Sequence, residues 1–231
     1  MRNGLVLVAV AAVALVAAWD ALREEPTTLA ELGVSGRLVY SDLRCRRLVV
    51  ELPSGRLDTT QRTRGCSVFS QSGNLGIERG EVAWFAFLGG TTTLISREQL
   101  GDLFGDGSRA LRAAWLGDLR YVALVRSRDR TLVALLERDR VLAELPAPAA
   151  AHDLRSSPRG GYFAVAGTTE LAVYDREGGS VPAPRGGRAI AWSPDERFAA
   201  VVLADEIAVV RVDGGREARL KLSARDVDWR A

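Results

Sequence analysis

The stretch Ala191–Arg216, AWSPDERFAAVVLADEIAVVRVDGGR, decides the fold. It reads as a small-aromatic pair, a Ser-Pro turn, a β-rich run, a second β-rich run and a Gly-rich turn. Proline fixes its own φ and suits the first central position of a β-turn, while Asp and Gly tolerate the places beside it. Ser193-Pro194-Asp195-Glu196 therefore reverses the chain between two strands. Asp213-Gly214-Gly215 does so again between later ones.

The same order of signals returns upstream. Ser156-Ser157-Pro158-Arg159 leads into Tyr162–Ala166, and Trp115-Leu116-Gly117-Asp118 leads into Tyr121–Val125. Phe69-Ser70-Gln71-Ser72-Gly73 leads into Leu75–Ile77. The second runs are Ile207–Val212, Leu171–Tyr174, Leu132–Leu136 and Val82–Leu88. Short β-branched and aromatic segments bounded by turn residues are strands. A repeat of about 35–45 residues marks a propeller or solenoid. The fold class expected is all-β, a small β-propeller of about five four-stranded blades.

The last blade is expected over Arg188–Trp192, Phe198–Leu203, Glu206–Val212 and Glu217–Leu222. The chain then adds Asp226–Trp229 and nearly stops, with Trp229 in the place of Trp192. At the other end Gly36–Asp42, Arg47–Leu52 and Arg56–Thr60 form three strands with no inner strand before them. The C-terminal strand is expected to complete that first blade and close the ring, leaving few free strand edges.

The segments WSPDERFAAVV and SSPRGGYFAVAG resemble the WSPDG-type repeats of TolB-like and WD-repeat-like propellers. The resemblance covers Ala114–Trp229, and Gly36–Gly90 more weakly. It implies a binding or assembly scaffold. It carries over no active site, because the shared positions Trp115, Ser157, Pro158, Trp192, Ser193, Pro194, Asp195 and Trp229 are turn and core positions.

Ahead of the repeats lies Gly4–Trp19, GLVLVAVAAVALVAAW, an uninterrupted apolar run. A spanning helix needs about 17–25 residues, so this run sits at the lower limit. The leading expectation is an uncleaved anchor over residues 1–22, with a stalk over 23–34 and the propeller over 35–231. Asp20, Arg23, Glu24, Glu25 and Pro26 follow, with no basic residue directly at the end of the run, which favours export of the domain. A cleaved signal peptide, cut near Val16-Ala17-Ala18, is the alternative and also exports it. Within the stalk, Thr28 and Glu31 have the capping-box spacing for a short helical turn at Leu29–Leu32.

Cys45 and Cys66 are the two cysteines. In an exported domain they are expected to pair. In a four-stranded blade both fall in connections on one face. Two cysteines and one distant histidine do not make a zinc set. Asp102 and Asp106 in Gly101–Gly107 lack the remaining acidic ladder of a calcium loop. That stretch is expected to be an irregular insertion, and a contact site.

Catalytic motifs are missing: no nucleophile elbow, phosphate-cradling loop or zinc-protease pair occurs. His152 is the sole histidine. With Asp153 and Asp226 it falls near expected inner strands, the one constellation that could serve an axis-facing enzyme. Formal net charge is +2, which argues against a nucleic-acid partner. Arg126, Arg128, Arg130, Arg138 and Arg140 are interleaved with Asp129, Glu137 and Asp139, the pattern of a solvated hairpin. The function expected is a non-enzymatic, monomeric scaffold without cofactor or metal, bound to a protein or envelope partner. A glycan- or small-molecule-processing enzyme and a purely structural or sensory ectodomain are the alternatives.

Overall fold

The computed structural model describes residues 27–68, 75–85, 91–128 and 130–231. The apolar run Gly4–Trp19 and the turn Phe69–Gly73 lie outside the described residues. Among these residues, nineteen strands form five antiparallel sheets, an arrangement consistent with a small propeller. The first sheet holds β1 (Gly36–Asp42), β2 (Arg46–Leu52), β3 (Arg56–Arg64) and, from the far end of the chain, β19 (Ala224–Arg230). The second holds β4 (Leu75–Glu78), β5 (Glu81–Phe85) and β6 (Thr91–Ile95).

The third sheet is a meander of β7 (Arg109–Gly117), β8 (Arg120–Ser127), β9 (Arg130–Glu137) and β10 (Arg140–Pro146). The fourth runs β11 (Asp153–Ser156), β12 (Tyr162–Ala166), β13 (Leu171–Asp175) and β14 (Ser180–Val181). The fifth runs β15 (Ala189–Trp192), β16 (Phe198–Val202), β17 (Ile207–Arg211) and β18 (Glu217–Leu220).

β19 pairs with β1 along its length, Leu38 opposite Trp229 and Tyr40 opposite Val227. This joins the two ends of the described chain in one sheet. Burial explains the choice of partner: Leu38 and Val227 are fully buried and Trp229 nearly so. Their core also takes in Ala200, Ile207 and Val209 of the fifth sheet. Burying a residue such as Ile207 is worth about 1.5–3 kcal/mol. An unpaired β1 would expose a long apolar edge instead.

The cores lie between sheets, so both faces of several strands are apolar. In β8 Tyr121, Ala123 and Val125 face the second sheet's core, while Val122 and Leu124 face the fourth's. Alternation sends successive side chains to opposite faces, and both faces here are covered. β16 repeats this, with Ala200 and Val202 on one side and Ala199 and Val201 on the other.

Among the described residues two short helices precede strands. α1 (Leu29–Leu32) has the Thr28–Glu31 capping box and ends on Gly33 in the left-handed region, at φ 69°. α2 (Arg97–Phe104) corrects the expected irregular insertion at Gly101–Gly107. The missed signal is Ser96-x-x-Gln99, a complete capping box. Leu100 and Phe104, four apart on one face, bury against the second and third sheets. The second sheet has three described strands, not four. Its expected strand Val82–Leu88 is β5 over Glu81–Phe85, with 86–90 outside the described residues.

Candidate functional site

The Ser-Pro turns work through their serines. Ser193 Oγ accepts the Phe198 N–H at 3.0 Å and donates to Asp195 Oδ1 at 2.6 Å. Its backbone N–H reaches the Phe198 carbonyl at 2.9 Å. One residue therefore ties both strands of the β15–β16 hairpin. Ser157 repeats this, accepting the Tyr162 N–H at 2.9 Å and donating its own N–H to the Tyr162 carbonyl at 2.9 Å. The Ser193 hydroxyl, before any other cause, holds the Asp195 carboxyl below the usual range. Pro158 and Pro194 are exposed at the turns.

The tryptophans of the repeat lie at or near the ends of their strands. Trp192 is buried, Trp115 is half-buried against the core of the second and third sheets, and Trp229 stacks on Phe198 with centroids 6.4 Å apart. The Trp229 indole N–H donates to the Ser35 carbonyl at 3.1 Å. These contacts fix where the chain enters its first strand.

The polar centre of the molecule is built on Arg155, a residue to which the sequence pattern gives no prominence. Its guanidinium lies where β11, β15 and β19 approach one another. Nε donates to Asp153 Oδ2 at 2.8 Å and Nη2 to Asp226 Oδ1 at 2.7 Å. Nη1 reaches the carbonyls of Ile190 at 3.0 Å and Val227 at 3.3 Å. Asp226 Oδ2 accepts the Val68 N–H at 2.8 Å. The side chains of Arg155 and Asp226 are 10% and 6% exposed, so neither is screened by water. A guanidinium cannot give up its proton at physiological pH. The arrangement suits tying strands from three sheets together, and both carboxylates are engaged in it.

Two of the three residues considered for an axis-facing enzyme thus converge, on an arginine. His152 does not join them: it is exposed, with Nδ1 3.3 Å from the Ala150 carbonyl. Asp228, two residues beyond Asp226, is buried and accepts from Arg230 Nε and the Trp229 N–H, each at 3.1 Å. Burial raises its carboxyl above the usual range, against the pull of Arg230.

Cys45 and Cys66 form a disulfide, with Cα atoms 4.2 Å apart. Cys45 lies in the β1–β2 turn at φ 58°, and Cys66 follows β3. The arginine-rich hairpin separates into two ends. Arg126, Arg128 and Arg130 lie at the β8–β9 turn, whereas Arg138 and Arg140 lie at the β9–β10 turn. Among the described residues these arginines pair as Arg130–Glu144 at 3.6 Å and Arg128–Asp106 at 3.9 Å, while Glu137 pairs with Arg120 at 3.1 Å.

No family model and no curated protein matches the chain.

Surface grooves also open among the described residues. One, of about 330 Å³, is lined by Gly36, Ser193, Arg197, Phe198 and Trp229 and sits beside the entry to β1. Another, of about 270 Å³, is lined by Pro182, Pro184, Arg211 and Gly214. Among the described residues no group of three or more His, Cys, Asp or Glu is placed to hold a metal. None of the described helices is long and apolar enough to cross a membrane.

Proposed function

We propose that this chain is an exported, membrane-tethered small propeller that acts as a non-enzymatic scaffold for a protein or cell-envelope partner. In this reading the five sheets are blades of one ring, and β19 completes the first blade. Residues 1–22 anchor the domain on the extracytoplasmic side, with signal cleavage as the alternative route to the same compartment. The scaffold works as a monomer, without cofactor, metal or nucleic acid.

The observation that carries the reading is the engagement of Arg155 by both Asp153 and Asp226. The polar groups at the meeting of the strands hold sheets together, and the surface is left for recognition. The Cys45–Cys66 disulfide supports export, since such bonds persist in oxidising compartments.

Fractionation of the expressed protein with carbonate and detergent washes, combined with intact mass, tests this. Full-length mass in the detergent fraction is expected, with partners then sought by cross-linking in that membrane. A shortened soluble product would move the search to extracellular or periplasmic ligands. A full-length protein found in the cytosol would sink the export reading.

A further inference from the structure

One end of the first sheet gathers five arginines around the disulfide. Arg46 stands directly opposite Arg64 in the β2–β3 register, and Arg47 is the next residue along. Arg44 precedes Cys45 in the β1–β2 turn. Arg225, at the start of β19, brings Nη1 to 3.8 Å from Cys45 Sγ. Arg44, Arg46, Arg64 and Arg225 are exposed, and Arg47 is half-buried.

Little negative charge answers them. Asp42 pairs with Arg46 at 2.6 Å and accepts the backbone N–H groups of Arg44 and Arg46. Arg44, Arg64 and Arg225 have no ion pair among the described residues. Arg47 donates Nη2 to the Ser67 carbonyl at 2.8 Å, while its Nε is buried with no partner. Asp226 points to Arg155, and Asp58 lies toward the other end of β3, opposite Val49. Sequence positions 59–63 and 69–74, whose side chains are not described, contain no Asp or Glu, and position 62 is a further arginine.

Like charges directly opposed across a β ladder are destabilising. The fold holds Arg46 and Arg64 in that relation and offsets it with one carboxylate. The disulfide fixes the turn against the end of β3, so the arginines are presented on a restrained backbone, which lowers the ordering cost of binding. Guanidinium forks match phosphate oxygens two at a time. Among the described residues Leu43 is the one large exposed apolar side chain at this end. These residues offer no apolar core of the kind that folded protein partners bury.

We propose that this arginine-ringed end of the first sheet binds a phosphate-bearing polyanion of the cell envelope, not a nucleic acid. It rests on the scaffold reading for the compartment and names the scaffold's working face. β1 begins at Gly36, the opposite end of a seven-residue strand, about 20 Å from the patch at the usual rise per residue. Under the tethered reading, a patch at the end of the sheet away from the start of β1 favours a free polymer over the headgroups of the anchoring membrane.

The test uses the full-length chain in non-ionic detergent and long-chain polyphosphate as probe, titrated over a salt series. Arg44→Gln/Arg64→Gln/Arg225→Gln is compared with the control Arg140→Gln/Arg159→Gln/Arg216→Gln, whose positions are exposed and lie outside the patch. Binding should weaken about 10–100-fold in the patch variant and little in the control. The slope of log K against log salt should fall by roughly two, as each lost phosphate contact removes most of one unit. Arg44→Gln alone, a single exposed change, should move both quantities in the same direction and guards against misfolding of the triple variant. Equal weakening in patch and control variants, or no polyphosphate binding by the wild type, overturns the proposal. Equal competition by poly-L-glutamate of matched charge also overturns it, in favour of an acidic protein surface. Fractionation tests the tethered-scaffold reading separately, so that reading can stand if this one fails.

Discussion

The first and second sheets meet the same need by different means. The first recruits β19 from the far end of the chain, ties β1 and β2 to the exit of β3 with a disulfide, and anchors Asp226 on Arg155. The second has three described strands and relies on its neighbour: Leu75, Val82 and Ile95 share a core with α2 and the third sheet. Long-range covalent and ionic ties concentrate where strands far apart in sequence must be held. Local helix packing suffices where the chain runs through. Perturbing the first sheet should therefore affect the whole domain, and perturbing α2 a part of it.

Deleting Asp226–Ala231 should have the largest effect. It removes Val227 and Trp229 from the core, strips the β1 edge and leaves Arg155 without Asp226. Each loss is worth several kcal/mol against a typical total of about 5–15. No cooperative melting transition should survive, and an unchanged melting curve would refute the role of the latch. Asp226→Ala alone should cost about 3–5 kcal/mol, because it leaves a buried guanidinium partly unpaired. Denaturant unfolding measures this, and a loss below about 1 kcal/mol would show that Asp153 and the carbonyls suffice for Arg155.

Cys45→Ser/Cys66→Ser should cost about 3 kcal/mol by loss of loop closure, and the reduced wild type should match it. A smaller and local effect is expected at the second sheet. Ser96→Ala removes the α2 cap for about 1 kcal/mol. Amide exchange should quicken in Arg97–Phe104 while β1 and β19 stay protected. Quickening in both places would break the contrast between the two sheets.

The smallest effects are in acid. Asp195 and Asp228 should titrate on opposite sides of 3.8, Asp195 below and Asp228 above, by carboxyl carbon NMR. Asp195 contributes stability above its unfolded midpoint and loses it as pH falls through its lowered folded one. For Asp228 the cost of a buried charge is absent below the unfolded midpoint and sets in as pH rises through the raised folded one. The reverse order of the two midpoints would contradict the environments described.

The strands were legible in the sequence where turns carried Ser-Pro or Gly-Gly. Tyr162–Ala166 matches β12 residue for residue, and the strands of the last repeat differ by a residue or two, whereas Gly36–Asp42 matches β1 without such a turn beside it. Those turns impose backbone angles that few residues accept, so their chemistry shows directly. α2 was hidden because Gly101 and Gly105 suggest a loop, although the Ser96–Gln99 cap precedes them. Arg155 could not be singled out, since its role depends on Asp226 and Val227, which a long stretch of chain separates from it. The arginine patch was divided the same way. Arg44, Arg64 and Arg225 belong to three distant segments, and the run from Arg126 to Arg140 drew attention to charges that two opposite turns keep apart.

The Trp229–Ser35 hydrogen bond joins residues 194 positions apart. A chain emerging from its N-terminus exposes β1, β2 and β3 long before β19 and cannot finish that sheet until β19 has followed. The β1 edge thus stands open to foreign strands while about 180 residues between β1 and β19 are being made. In this protein the arrival of Trp229 decides when the first sheet can close.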